Sequence, residues 1–226
     1  MWRHSPRRPE AITLTPVTVS YGGVFLHCVG LRMALEAAPP IDVAYYSVDR
    51  RGMYAVGESL DLYQSDPYSR TLLASHEGLF SSAEIAAHVH QLFPDGLSLH
   101  GWEWMTWHSQ ICTDHNGIKY THNERAIELA FEFVRRAAFP GQRSRLQSYF
   151  AWNSLDDAKA FATAGQPIYR LEPSVVLRAD QRWLHLSEQN AIASFQAHRY
   201  WTGIGTAAPK WEYVLAAPVK VAEKMS

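Results

Sequence analysis

Apolar residues return every three to four positions over residues 124–138, where Ile127, Ala130, Phe131, Val134 and Ala138 share one face. Asn123 is a good cap and Pro140-Gly141 stops the run, so this spacing predicts the best-defined helix of the chain. Ile85, Val89 and Leu92 predict another over residues 82–93, capped by Ser82 and ended by Pro94-Asp95-Gly96. A third follows Ser154. Asp156 and Asp157 sit in its first turn, where negative charge suits the helix dipole; Ala158, Phe161 and Ala162 form its face, and Gly165 closes it. Residues 187–200 read as helical. Residues 24–38 read as a weaker helix, interrupted by Gly30 and stopped before Pro39-Pro40. Runs rich in β-branched and aromatic residues predict strands over residues 12–19, 43–48, 57–62, 146–152, 168–171, 175–177, 212–215 and 219–221. The aromatic run 102–107 (WEWMTW) reads as strand or extended loop. Short strands with segregated helices predict an α+β fold, not a doubly wound sheet.

Composition narrows this picture. The chain has 226 residues, of which 47% are hydrophobic and 19% charged, enough apolar material for one sizeable core. Residues 1–42 read as an N-terminal extension packed on a domain formed by 43–226. A net charge of −1 excludes a globally basic nucleic-acid binder and leaves room for a local basic site. Cys28 and Cys112 are the only cysteines, which argues against a disulfide framework and for a reducing, cytoplasmic setting. Apolar runs are far too short for a membrane span, so no membrane partner is expected. The basic start (Arg3, Arg7, Arg8) is followed by Pro6, Pro9 and Glu10 and reads as no secretion signal.

Three segments carry a family resemblance. Tyr149-Phe150-Ala151 is followed by Ser154, Ala158 and Phe161; Glu212-Tyr213-Val214 is followed by Pro218, Val219 and Val221; Tyr45-Tyr46-Ser47-Val48-Asp49-Arg50 comes first in the chain. In that order they resemble the three signature strands of the ADP-ribosyltransferase superfamily, in its poly-ADP-ribose-polymerase-like His-Tyr-Glu form. Ser47 stands where the family has His or Arg. Phe131 to Arg135, Pro140 and Ser144-Arg145 also look like bacterial members among which toxin, toxin–antitoxin and phage-defence roles are common. The resemblance implies a split mixed or antiparallel sheet with flanking helices. It implies NAD as substrate, no metal, and mono-ADP-ribosyl transfer to a macromolecule, with nucleic acid and protein both open. An antitoxin or immunity protein is the partner that a toxin role would bring. The alternative is a non-catalytic binding protein of the same fold, which Ser47 favours.

ADP-ribosyl transfer breaks the bond between nicotinamide and ribose through an oxocarbenium-like state. A carboxylate beside the ribose stabilises that charge, and the resemblance gives this role to Glu212. Tyr149 is the candidate catalytic aromatic, stacking the flat nicotinamide cation; the rival account is a core Tyr on a buried strand. Tyr46, Ser47, Arg50, Ser148 and Arg145 are the implied NAD-binding residues. Arg135, Arg136, Arg143 and Arg145 lead toward the Tyr149 strand. Arg145 is placed to meet phosphate, whereas Arg135 and Arg136 suit the C-terminal dipole of their helix.

Other constellations carry less. His88, His90, His100, His108, His115 and His122 fit no zinc spacing. Trp102, Trp104 and Trp107 suit a buried aromatic strand better than a base-stacking platform. Cys112 near Asp114 and His115 is a weak nucleophile signal, because such triads assemble in space. Gly22-Gly23 stands alone, so neither a P-loop nor a dinucleotide-binding fingerprint is present.

Overall fold

The computed structural model describes residues 19–21, 24–26, 43–68, 80–106, 111–113, 119–121, 124–186 and 189–225. The chain divides into two compact units, Met1–Leu35 and Glu36–Ser226. In the first, β1 (Val19–Tyr21) and β2 (Val24–Leu26) form an antiparallel pair with Tyr21 opposite Val24. The helix expected over residues 24–38 is therefore a strand at its start. Val24, Phe25 and Leu26 suit a pleated pair, and the intervening Gly-Gly is a hairpin signal. Residues 1–10, most of the 12–19 strand and residues 27–38 lie outside the described ones.

The second unit holds the remaining elements. These are β3 (Tyr45–Val48), β4 (Ser59–Leu60), α1 (Ser82–Leu92), α2 (Leu99–Thr106), the hairpin of β5 (Ile111–Thr113) and β6 (Lys119–Thr121), and α3 (Glu124–Ala138). Then come β7 (Ser148–Ala151), α4 (Leu155–Phe161), β8 (Ile168–Pro173), β9 (Val176–Asp180), α5 (Asn190–Trp201), β10 (Trp211–Ala216) and β11 (Val219–Lys224). The strands form a four-stranded sheet in the order β3-β8-β11-β4 and a three-stranded sheet in the order β7-β10-β9. Every pairing is antiparallel, and the fold is α+β. Among the described residues the sheets meet at one bridge: Tyr46 N donates to Trp152 O at 2.7 Å and Trp152 N to Tyr46 O at 2.8 Å.

The main core draws on both sheets, with Tyr45, Tyr149, Leu171, Leu215, Val219 and Val221 buried together. A second cluster of Val89, Phe93, Leu97, Trp102 and Leu146 seats α1 and α2. α3 packs on α5 through Phe131, whose ring meets Tyr200 edge-on at 5.4 Å and whose carbonyl accepts from Trp201 Nε1 at 2.8 Å. Among the described residues no helix is long and apolar enough to cross a membrane.

Two expectations are corrected here. Residues 102–106 are helical, the second half of α2, and Trp107 lies outside the described residues. Ser98 Oγ accepts from Gly101 N at 3.1 Å and caps the helix, while Trp102 Nε1 donates to Tyr63 O at 2.8 Å. This local cap and the long-range bond to Tyr63 together override an aromatic composition that favours strand. The buried stripe of α3 is also rotated from the expected face. Glu128, Phe131 and Glu132 are buried, Ala138 is exposed, and Leu129 and Phe133 face solvent. Elsewhere the elements fall close to their expected places: Ser154 caps α4, and Ser81, one residue ahead of Ser82, caps α1 in a box with Glu84.

Candidate functional site

A cleft of about 280 Å3 opens in the second unit, at the lower edge of the roughly 300–1,000 Å3 typical of small-molecule sites. Ser47, Arg50, Arg145, Tyr149 and Glu212 all line it, although they are far apart in sequence. Tyr46 and Ser148 do not. Tyr46 forms the bridge between the sheets, and Ser148 Oγ donates to Ser144 O at 2.8 Å in a buried turn.

One wall grows from β3 and the turn after it. The Asp49 carboxylate accepts from the backbone N–H of Arg51 and Met53, each at 3.1 Å, and of Tyr54 at 2.9 Å. These bonds wind residues 49–54 into a tight loop, with Gly52 at φ +67°, that presents Arg50 and Arg51 to the cleft. Arg51 pairs with Glu103 of α2. The Arg50 guanidinium lies 4.2 Å over the ring of Phe161, and among the described residues it pairs with no carboxylate. Ser47 is buried, and its Oγ sits 3.3 Å from the Tyr54 hydroxyl, which burial pushes up to about 12.

The opposite wall is α2, held on the turn before β7. Ser98 N and Ser98 Oγ both donate to Leu146 O, at 3.0 and 3.1 Å. Gly101 lies directly on this carbonyl; a Cβ there would stand 2.0 Å from it. α2 thereby delivers His100, Glu103 and Trp104 to the cleft. Trp104 Nε1 donates to His100 Nδ1 at 3.2 Å, which assigns the proton to Nε2 and makes it the donor to Glu128 Oε1, also at 3.2 Å. Burial lowers the pKa of His100 despite Glu128, so the ring is neutral near pH 7.

The floor is a buried charge network. Arg145 Nε lies 3.1 and 3.0 Å from the two carboxylate oxygens of Glu128, and Nη1 donates to Glu212 Oε1 at 2.5 Å and to the Tyr200 hydroxyl. Tyr200 in turn donates to Glu212 Oε1 at 2.5 Å, and Gln181 Nε2 donates to Glu212 Oε2 at 2.9 Å. Burial works against the Arg145 charge, but Glu128 above all, with Tyr200 and Glu212, holds it protonated. Burial alone would raise the Glu128 carboxyl; Arg145 and His100 outweigh it and hold the group down at about 2. The guanidinium also stacks 4.5 Å over the ring of Phe150.

The pleat decides which side chains meet. Tyr149 pairs with Leu215 across β7 and β10 and shares its face in the main core. Glu212, three residues before Leu215, points to the other face, where Phe150 meets Arg145. Tyr149 is only 3% exposed, and its hydroxyl donates to Asp61 O at 2.7 Å. Phe161 keeps a half-exposed ring, tilted against Trp152 with centroids 4.2 Å apart.

Arg135 stays outside the cleft: it grips Glu132 through Nε and Nη2 and the Gln142 carbonyl through Nη1. His88 and His90 are exposed on α1, while His108, His115, His122 and the side chain of Cys112 lie outside the described residues. Among the described residues no three metal-ligating side chains cluster. Sequence reasoning missed Glu128, His100, Gln181 and Tyr200. Glu128 carried the one available signal, an acid one step from Ile127 and three before Phe131 on a strongly periodic helix.

No curated protein matches the chain. A protein-family model does: it covers residues 45–226, both sheets and the whole cleft, and the chain belongs to the family it describes as "Protein of unknown function (DUF2441)".

Proposed function

We propose that the protein is an NAD-dependent mono-ADP-ribosyltransferase acting on a macromolecule. The observation that carries this reading is that each of the three resembling strands contributes to one cleft, through Ser47, through Phe150 beside Tyr149, and through Glu212, although the Tyr149 ring itself turns to the opposite face of its sheet from Glu212. The antiparallel sheets with flanking helices are compatible with the split sheet that the resemblance implies.

Glu212 lies at the cleft floor with both oxygens held by hydrogen bonds, so its position is fixed before any substrate arrives. In the proposed reaction the bond between ribose and nicotinamide breaks and its electron pair leaves with the ring. The ribose becomes oxocarbenium-like beside the carboxylate, and a nucleophile of the target attacks and loses its proton. Phe161 offers the stacking face for the cationic ring once Arg50, which covers it, turns to the phosphate, because the Tyr149 ring faces the main core. Arg50 is the cation for phosphate, since Arg145 is engaged by two carboxylates.

The second reading is a non-catalytic binding protein. Its support is Ser47 in place of a His or Arg and the triple hydrogen bonding of Glu212. Nicotinamide release and labelled-NAD transfer to protein and RNA from a bacterial extract separate the two. Wild type should transfer, and Glu212→Gln should lose about 10²–10³ in turnover with little change in NAD affinity, since Gln keeps the shape and loses the charge. A folded Glu212→Gln variant with undiminished turnover rejects this carboxylate. A wild type that releases no nicotinamide supports the binding protein.

A further inference from the structure

Glu128 is buried behind the cleft and does not line it, yet it takes two contacts from the same guanidinium that grips Glu212. The sharing has an electrostatic consequence. Arg145 facing Glu212 alone would form a neutral pair, and the floor would offer nothing to a developing cation. With Glu128 on its other edge, one positive charge is divided between two carboxylates, and the group keeps one negative charge. The other charged residues of the cleft balance: Arg51 pairs with Glu103, and Asp49 stands beside Arg50. His100 donates its Nε2 proton to Glu128 and adds no charge.

We infer that Glu128 is a positioning residue: through Arg145 it keeps the cleft floor anionic and so makes the cleft selective for cationic over neutral planar ligands. The inference deepens the transferase reading and rests on it only for its kinetic part. A unit charge about 10 Å from a developing cation, at an effective dielectric of about 20, is worth on the order of tenfold in rate or affinity.

The test uses the full chain and two probes of nearly equal shape, 1-methylnicotinamide, which is cationic, and nicotinamide, which is neutral. Wild type should bind the cation more tightly, and Glu128→Gln should cut that preference roughly tenfold. The double variant Glu128→Gln/Arg145→Met, which removes one charge of each sign, should restore it. For NAD the loss in Glu128→Gln should appear in KM as well as in kcat, because the ring is cationic before its bond breaks and the ribose becomes so afterwards. A merely structural Glu128 would give the opposite result, a double variant no better than the single one. Should Glu128→Gln not fold, the double variant still decides, because it must keep the cation preference of the wild type. A wild type that binds both probes alike, or neither, overturns the inference, as does an unchanged preference in folded Glu128→Gln. Failure of wild type to turn over NAD would instead reject the transferase reading, with the binding ratio still deciding the role of Glu128.

Discussion

At the scale of single residues, two arginines of the cleft differ in what they hold. Arg145 is 6% exposed and joins two buried acids, so Arg145→Ala leaves both without a counter-charge and should cost about 3–5 kcal/mol of stability. Arg50 is exposed and rests on Phe161, so Arg50→Ala should stay within about 0.5 kcal/mol of wild-type stability and weaken NAD binding. Thermal melts with NAD titrations compare them, and equal destabilisation by both would contradict the division. Acid should expose the network too. His100 has a folded pKa below its free value of 6.5 because it is buried, so the unfolded chain takes up a proton that the fold refuses. Its contribution is complete above pH 6.5 and fades as pH falls through the folded value. Glu128, at about 2 against 4.5, stabilises fully above pH 4.5 and loses on the order of 3 kcal/mol as pH falls toward 2. Urea midpoints between about pH 7 and pH 3 should drop in two stages, and His100→Gln should abolish the upper one. A flat profile across that range would show that neither group is linked to folding.

Among elements, legibility followed the source of the stabilising partner. α4 and the strands around Tyr149 and Glu212 were readable because their caps, periods and turns are local. α2 was not, since its aromatic run is held by Tyr63 O and its start is seated on Leu146 O, contacts that no window of sequence contains; the one local signal, the Ser98 cap, precedes a run of strand-like composition. The register of α3 was hidden for a related reason. Periodicity assumes that acids face water, but Arg145 and His100 receive Glu128, and Arg135 and Arg136 receive Glu132. Of these charges, Glu128 with Arg145 also belongs to the network beneath the cleft, whereas Glu132 and its arginines lie outside it. Gly101 is where α2 depends most on a neighbour, because its missing side chain lets the helix lie against Leu146 O. Gly101→Ala should lift α2 from that turn, cost at least 1–3 kcal/mol, and displace His100 and Trp104 with it. Trp fluorescence and melting temperature read both effects, and a variant as stable as wild type would mean that α2 has room to spare.

For the molecule as a whole, the bridge between Tyr46 and Trp152 is a seam. Two hydrogen bonds are all the backbone pairing that joins a four-stranded sheet to a three-stranded one among the described residues, and the cleft lies beside it. A seam so short is the place where the rim of the cleft can give. Opening the seam would break two bonds and leave both ladders whole, while the core that Tyr45, Tyr149, Leu171 and Leu215 share across the sheets confines the movement to the rim of the cleft. The amide protons of Tyr46 and Trp152 should therefore exchange with deuterium together, and faster than those of Val214 or Leu171 inside the ladders, with a bound ligand slowing the pair selectively. Exchange of Tyr46 and Trp152 as slow as the ladder interiors would describe a rigid joint. In a molecule with such a seam the width of the rim becomes a thermal variable, and a ligand that spans the seam works as a latch.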